Sequence, residues 1–185
     1  MISLILTHPG SAHKDEFLAC CLLVAVHGVP IVRREPTQAD LDDPSVIVVD
    51  VGGEHEPERM NFDHHQFPAD SPPICALSLV MQHLGIYEDA RMFCEWLEPA
   101  EWFDTKGPVK TAEWLGVSRE ALGKLQSTID VTILRRFAFC QRLDPGHLIY
   151  ELMQVIGNDL LYYLRTMRER IKVLEENLHF WEMEK

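Results

Sequence analysis

Val46-Ile47-Val48-Val49-Asp50-Val51-Gly52-Gly53 is the stretch that decides the fold. It is β-branched, apolar on successive residues and halted by a glycine pair. A strand with one wet face would alternate, so this one reads as buried on both faces in a parallel sheet. Parallel strands need crossover connections, and helices must therefore flank it. Upstream, Ile2-Ser3-Leu4-Ile5-Leu6 is a second short apolar run, stopped by the turn residues Thr7-His8-Pro9-Gly10-Ser11. Lys14 to His27 is predicted helical: Phe17, Leu18, Cys21, Leu22, Ala25 and Val26 recur at three- and four-residue steps, and Gly28-Val29-Pro30 closes the run with a C-cap glycine and a breaker. Ile31 to Arg34 is a further short strand. Downstream, Met60-Asn61-Phe62 reads as a strand running into Asp63-His64-His65, and Pro68 to Pro73 as a loop.

From Ile74 the pattern is helical. Helices are expected over Ile74 to Leu84, Ala90 to Leu97, Arg119 to Leu125 and Thr128 to Leu143, with Gly107-Pro108 as punctuation and Asp144-Pro145-Gly146 as a turn. The last segment carries Ile149, Met153, Ile156, Leu160, Leu164, Met167, Ile171, Leu174, Leu178 and Trp181 at steps of three and four, close to a heptad repeat. Such a stripe serves either a long helix packed on its own domain or a dimer seam, and Gly157 is a point where it could break. The expectation is an α/β protein: a parallel-sheet core over residues 1–107 with helices on both faces, and a helical extension over 108–185 that packs on the core or forms an oligomer interface.

The chain has 185 residues and a formal charge of -12. Residues 1–110 hold 7 Lys+Arg against 18 Asp+Glu, whereas the remainder is near balance at 10 against 11. An acidic surface repels phosphate backbones, which argues against binding long nucleic acid by a basic track; the same acid could hold cations. The longest apolar run, Phe17 to Val26, is 10 residues, about half of the ~20 needed to span a bilayer. The N-terminus lacks the basic start of a signal peptide. Five cysteines without a C-x-x-C pair make neither a disulfide framework nor a zinc ribbon. These features point to a reduced, cytosolic protein with no membrane partner.

Three groups of metal-type ligands fall at strand ends in the acidic part. One is His8-Pro9-Gly10-Ser11-Ala12-His13-Lys14-Asp15-Glu16, the second is Asp50, and the third is Asp63-His64-His65. Loops at the carboxyl ends of neighbouring parallel strands converge on one crevice, so the three groups can share a site. Each alone has an ordinary reading as surface histidine, turn aspartate or polar loop. Jointly, 4 of the 9 histidines lie in two short turns after strands, which favours a site. Imidazoles mixed with carboxylates suit a divalent ion such as manganese.

In order, His8-x4-His13-x-Asp15-Glu16, Val48-Val49-Asp50-Val51-Gly52-Gly53, and Pro57-Glu58-Arg59 leading to Asp63-His64-His65-Gln66 resemble the motifs of the DHH phosphoesterase superfamily. The likeness is greatest to its Myg-type branch, described both as metal-dependent protein hydrolases and as RNA exonucleases. It covers residues 4 to 66 well and extends to about residue 107 through Trp102-Phe103-Asp104-Thr105-Lys106-Gly107, a looser match to a fourth motif. The resemblance implies two divalent ions, manganese or magnesium. His8 and His13 would hold the first, Asp15, His64 and Asp104 the second, and Asp50 would bridge them. His65 would meet the substrate phosphate, and Asp63 would orient the histidine pair; Asp50, Asp63 and His65 are thus the expected catalytic set.

The resemblance further implies hydrolysis of a small phosphoester or phosphoanhydride, such as a short oligonucleotide or a nucleotide, by a hydroxide shared between the ions. Residues 108–185 are too short and too helical to copy the second domain that most of the superfamily carries, so substrate choice is the least transferable part. The alternative is a non-catalytic metal-dependent binding or assembly protein with a degenerate site, the tail serving as a partner or homodimer interface.

Overall fold

The structure, a computed structural model, describes residues 1–124 and 127–178. The expected helix end at Leu125 and the last stripe residue Trp181 lie outside them. Strands β1 (Leu4–Thr7), β2 (Ile31–Arg33), β3 (Val46–Val49), β4 (His55–Glu56), β5 (Asn61–Phe62) and β6 (Arg142–Leu143) form one sheet in the order β4-β5-β3-β1-β2-β6. The four inner strands are parallel, and β4 and β6 are antiparallel edges.

This is the α/β architecture expected, mostly parallel, with helices on both faces and a long C-terminal helix. Ile5, Ile47 and Val49 point into the larger core beneath α1 (Lys14–His27), α3 (Ala76–His83) and α8 (Leu148–Asn177). Leu6, Val46 and Val48 point the opposite way, onto Leu41 of α2 (Gln38–Asp42). The strand period of two thus divides both runs between two cores, which is why neither run alternates with polar residues. Each fully buried aliphatic side chain contributes about 1.5–3 kcal/mol.

The chain leaves β1 through α1 to β2 on one side, then returns past β1 through α2 to β3 on the other. The direction of winding therefore reverses between β1 and β3, and the loops after those strands, carrying His8 and Asp50, open a crevice there.

The helical half differs from its expected outline in several places. The helix placed at 90–97 is α4 (Tyr87–Phe93), and α5 runs Leu97–Leu115 with a break at Gly107, whose φ of 77° and ψ of 170° are not helical, followed by Pro108. After α6 (Arg119–Lys124), α7 (Thr128–Ala138) stops five residues before the expected Leu143, because Arg142 and Leu143 pair with Val32 and Ile31 as β6. Gly157 does not break α8: the helix crosses α1 there so closely that a side chain would overlap the Cys21 carbonyl. Toward its end α8 meets α4, where Arg168 pairs with Asp89 at 2.7 Å and the Tyr163 hydroxyl donates to Phe93 O. Arg168 is thereby committed to α4 rather than to the crevice.

Candidate metal centre

The crevice is a cleft of about 410 Å³ whose lining includes His8, Ser11, His13, Asp50, Asp63 and His65. That volume is within the range of small-ligand sites. Asp50 follows β3 with a left-handed φ of 59°, which turns its carboxylate into the cleft at the cost of backbone strain, and the chain then folds back at Gly52. Gly52 has a φ of 98°, and a Cβ there would come within 2.9 Å of Leu41, so Gly52 is set by conformation and by space.

Two groups of contacts meet on Asp50. His8 Nε2 is 3.6 Å from Oδ2, while His64 Nε2 is 3.1 Å and His65 Nδ1 3.7 Å from Oδ1. Asp104, from α5, lies 2.9 Å from His64 Nε2 and 3.6 Å from His13 Nδ1. Two sets of potential ligand atoms within one ion's reach are His8 with His13 and Asp50, and His13 with Asp15 and Asp104. The structure thus brings together all eight residues singled out from the sequence.

The hydrogen bonds sort these residues into two kinds. Among the described residues nine buried side-chain N or O atoms lack a hydrogen-bond partner, and six belong to Asp15, Asp50, His64 and Asp104. Close approach without hydrogen-bond geometry is what atoms aimed at a common point produce. An unpaired buried polar atom costs about 1–3 kcal/mol, and six in one pocket, with only close contacts such as His64 to Asp104 between them, form a group that could hold a cation. Asp63 is different. Its Oδ2 accepts from Gly53 N at 2.7 Å, and its Oδ1 accepts from His65 N and lies 2.7 Å from His65 Nδ1. A further grouping joins Asp63 and His65 with Asp50 and His64, but the first two are already partnered and the others are not. His65 is also the most exposed of the set, 61% in its side chain.

The electrostatics point the same way. Burial, then the charges of Asp50 and Asp104, push the Asp15 carboxyl well above its usual range, and burial with Asp104 raises Asp50. Burial alone would lower the two histidines, but Glu16 outweighs it at His8 and raises that ring to about 9, and Asp104 with Asp50 raise His64 to about 10. Without a cation the pocket holds protons in its place. His8 Nδ1 lies 2.8 Å from Pro9 O, a contact that, with the proton on Nδ1, leaves Nε2 for a ligand bond.

Spacing along the chain does not show how Asp104 reaches the others. Glu101, one turn earlier and buried, accepts from Ser78, Tyr87 and Arg91 at 2.7, 2.8 and 3.0 Å, which ties α5 to α3 and α4. Lys106 donates to Ala69 O and Ser71 O at 2.7 Å, which ties it to the loop after His65.

Residues 4–72 match the MYG1_exonuc model, described as an uncharacterised protein family (UPF0160). The MYG1_exonuc segment contains every residue of the cleft except Asp104. The rat protein named MYG1 exonuclease is 50% identical over 64 residues, which are 32% of this chain and 16% of that protein. Its human counterpart is 48% identical over the same length and shares. A fission-yeast MYG1 protein is 37% identical over 92 residues, 44% of this chain and 27% of that protein. The match therefore spans about a sixth of the length of the mammalian relatives. No solved structure matches the chain.

Proposed function

We propose that this protein is a metal-dependent phosphoesterase of the DHH type that holds two divalent cations, manganese or magnesium, and acts on a short oligonucleotide or nucleotide. The observation that carries the reading is the set of bare, buried ligand atoms on Asp15, Asp50, His64 and Asp104, facing His8 and His13 across the parallel-strand crevice. Two positions account for these atoms. His8, His13 and Asp50 would hold one cation; Asp15, His64 and Asp104, with Asp50 shared, would hold the other. Bound there, the cations would acidify a shared water and polarise the phosphoryl oxygens.

The chain's own groups would then do the following. Asp50 balances charge between the two positions from a buried seat. Asp63 orients His65 through Nδ1, which leaves Nε2 to donate to a phosphoryl oxygen as negative charge builds there. The relatives named exonucleases support a nucleic-acid substrate. The cleft volume and the acidic surface favour a short piece of it over a long strand. No helix among the described residues is long and apolar enough to cross a membrane, and the five cysteines are free, which suits a reducing compartment such as the cytosol.

The test is release of nucleotide from a short RNA, and of nitrophenol from a nitrophenyl phosphodiester, by protein stripped with chelator and reloaded with manganese. Metal-dependent turnover supports the reading; binding of manganese without turnover on either substrate supports the metal-dependent binding protein instead. The two histidines of Asp63-His64-His65 should separate. His65→Ala is expected to keep its metal content and slow hydrolysis by roughly 10²–10³-fold, the effect of removing one electrostatic stabiliser. His64→Ala is expected to lower metal content. Equal metal loss in both would show the pair to be wrongly divided.

The end of α8 is proposed as a homodimer contact. Leu164 is buried in the chain's own core, whereas Leu174 and Leu178 are more than half exposed. Sedimentation equilibrium should give twice 21.3 kDa for the wild type and the single mass for Ile171→Glu; a single mass for both ends the dimer.

A further inference from the structure

Glu16 and Arg33 form an ion pair at 3.1 Å, 0% and 4% exposed, directly beneath the loop that joins His8 to His13. Glu16 Oε2 lies 2.9 Å from His8 Nε2 and accepts from the His13 backbone N–H at 3.3 Å. Its Oε1 accepts from the Thr7 hydroxyl at 3.0 Å and from Arg33 Nε and Nη2. Arg33 reaches the middle of the same loop, donating to Gly10 O and Ser11 O at 3.3 Å, and its remaining contacts are Phe137 O and the Phe137 ring, 4.5 Å from the guanidinium carbon. The contact with His8 Nε2 is one that a bound cation would replace; the rest of the pair's grip does not use a ligand atom, and holds the loop at Thr7 just before His8, at two carbonyls and at the His13 backbone.

A buried ion pair is poor value as a stabiliser, because desolvation offsets most of its attraction. Geometry is what it supplies. The planar guanidinium meets several acceptors at fixed angles, which a lysine ammonium cannot reproduce. Among the described residues neither the Glu16 nor the Arg33 side chain contacts Asp15, His64 or Asp104, which sit on α1, in the turn after β5 and on α5, the last anchored separately through Glu101.

Building on the two-cation reading above, we propose that Glu16 and Arg33 are positioning residues for His8 and His13, and that they set the affinity of one cation position and not of the other. Outer partners of metal-ligating histidines typically contribute about 10–100-fold in metal affinity. That is the loss expected in one class of sites.

The experiment is manganese titration of the full chain by calorimetry and by the electron-spin signal of free manganese, for wild type, Arg33→Lys, Glu16→Gln and the double variant Glu16→Gln with Arg33→Met. The double variant leaves no buried charge unpaired and serves if a single substitution prevents folding, with far-ultraviolet circular dichroism as the check. Wild type should show two classes of sites. The variants should keep one class unchanged and weaken the other about 10–100-fold, less for Arg33→Lys, which retains the charge without the fork. Fewer than two classes in the wild type would overturn the two-cation reading itself. Two classes in the wild type with both unchanged, or both weakened alike, in the folded double variant would leave that reading standing and overturn the positioning role.

Discussion

Asp50→Asn is expected to empty both cation positions and to take manganese-dependent hydrolysis to background. Asp50 is the buried residue whose two oxygens look to opposite halves of the cleft, Oδ2 toward His8 and Oδ1 toward His64 and His65. Asparagine keeps the shape but turns one oxygen into an N–H₂ donor, which cannot ligate. The loss should exceed the roughly 100-fold upper range for removing an outer partner. Elemental analysis of stripped and reloaded protein reads it out, and a variant that retains its manganese would overturn the central role of Asp50. The same material tests the pH dependence. In the metal-free protein His8 and His64 are raised from 6.5 to about 9 and about 10. The stability they contribute is therefore complete below about pH 6.5 and is lost as pH rises through 9 to 10. Chelated wild type should melt at a lower temperature across that span, while manganese binding, which must expel those protons, should tighten. A melting temperature in chelator that does not fall would contradict the raised histidines.

Gly157→Ala is expected to destabilise the protein, although alanine is the better helix former by about 1 kcal/mol. At an exposed helical glycine that preference would win. Here the added Cβ would overlap the Cys21 carbonyl and come within 2.9 Å of the Ala25 Cβ, and a backbone group in the middle of α1 cannot turn aside as a side-chain tip does. Overpacking of this kind costs about 1–3 kcal/mol and here should reach the upper end. For a chain of this size each kcal/mol lowers the melting temperature by about 2–4 °C. Gly157→Val should be worse. Since α1 carries Asp15 and Glu16 in its first turn, a displaced α1 should weaken manganese binding as well. A thermal scan decides: a raised melting temperature for Gly157→Ala would mean that α8 does not cross α1 at this point.

Local pattern was enough for the four parallel strands, though not for the edge strands β4 and β6, and for most of the cleft. The run Val46–Val51 read as a strand buried on both faces, and Ile2–Leu6 as a partner to it; turn residues after each placed His8, His13 and Asp50 in loops at the same end, with Asp15 in the first turn of the helix that follows. Asp63, His64 and His65 followed by the same logic, because parallel strands in one sheet put their following loops on one side. What chain order cannot carry is the meeting of distant segments. Two-residue strands such as β6 have no periodicity to read, and Leu143 became a strand residue only because Ile31 stood beside it. Arg33 looked like one residue of a short strand until the fold brought Glu16 and the loop carbonyls around it. Gly157 read as a weak point in a helix, and only the crossing with α1 turned it into the contact that permits close approach. Asp104 reached His64 because Glu101 and Lys106 bind α5 to elements far away in sequence. In each case the deciding energy is packing or pairing between residues that composition and spacing treat separately, and only tertiary structure assigns those partners.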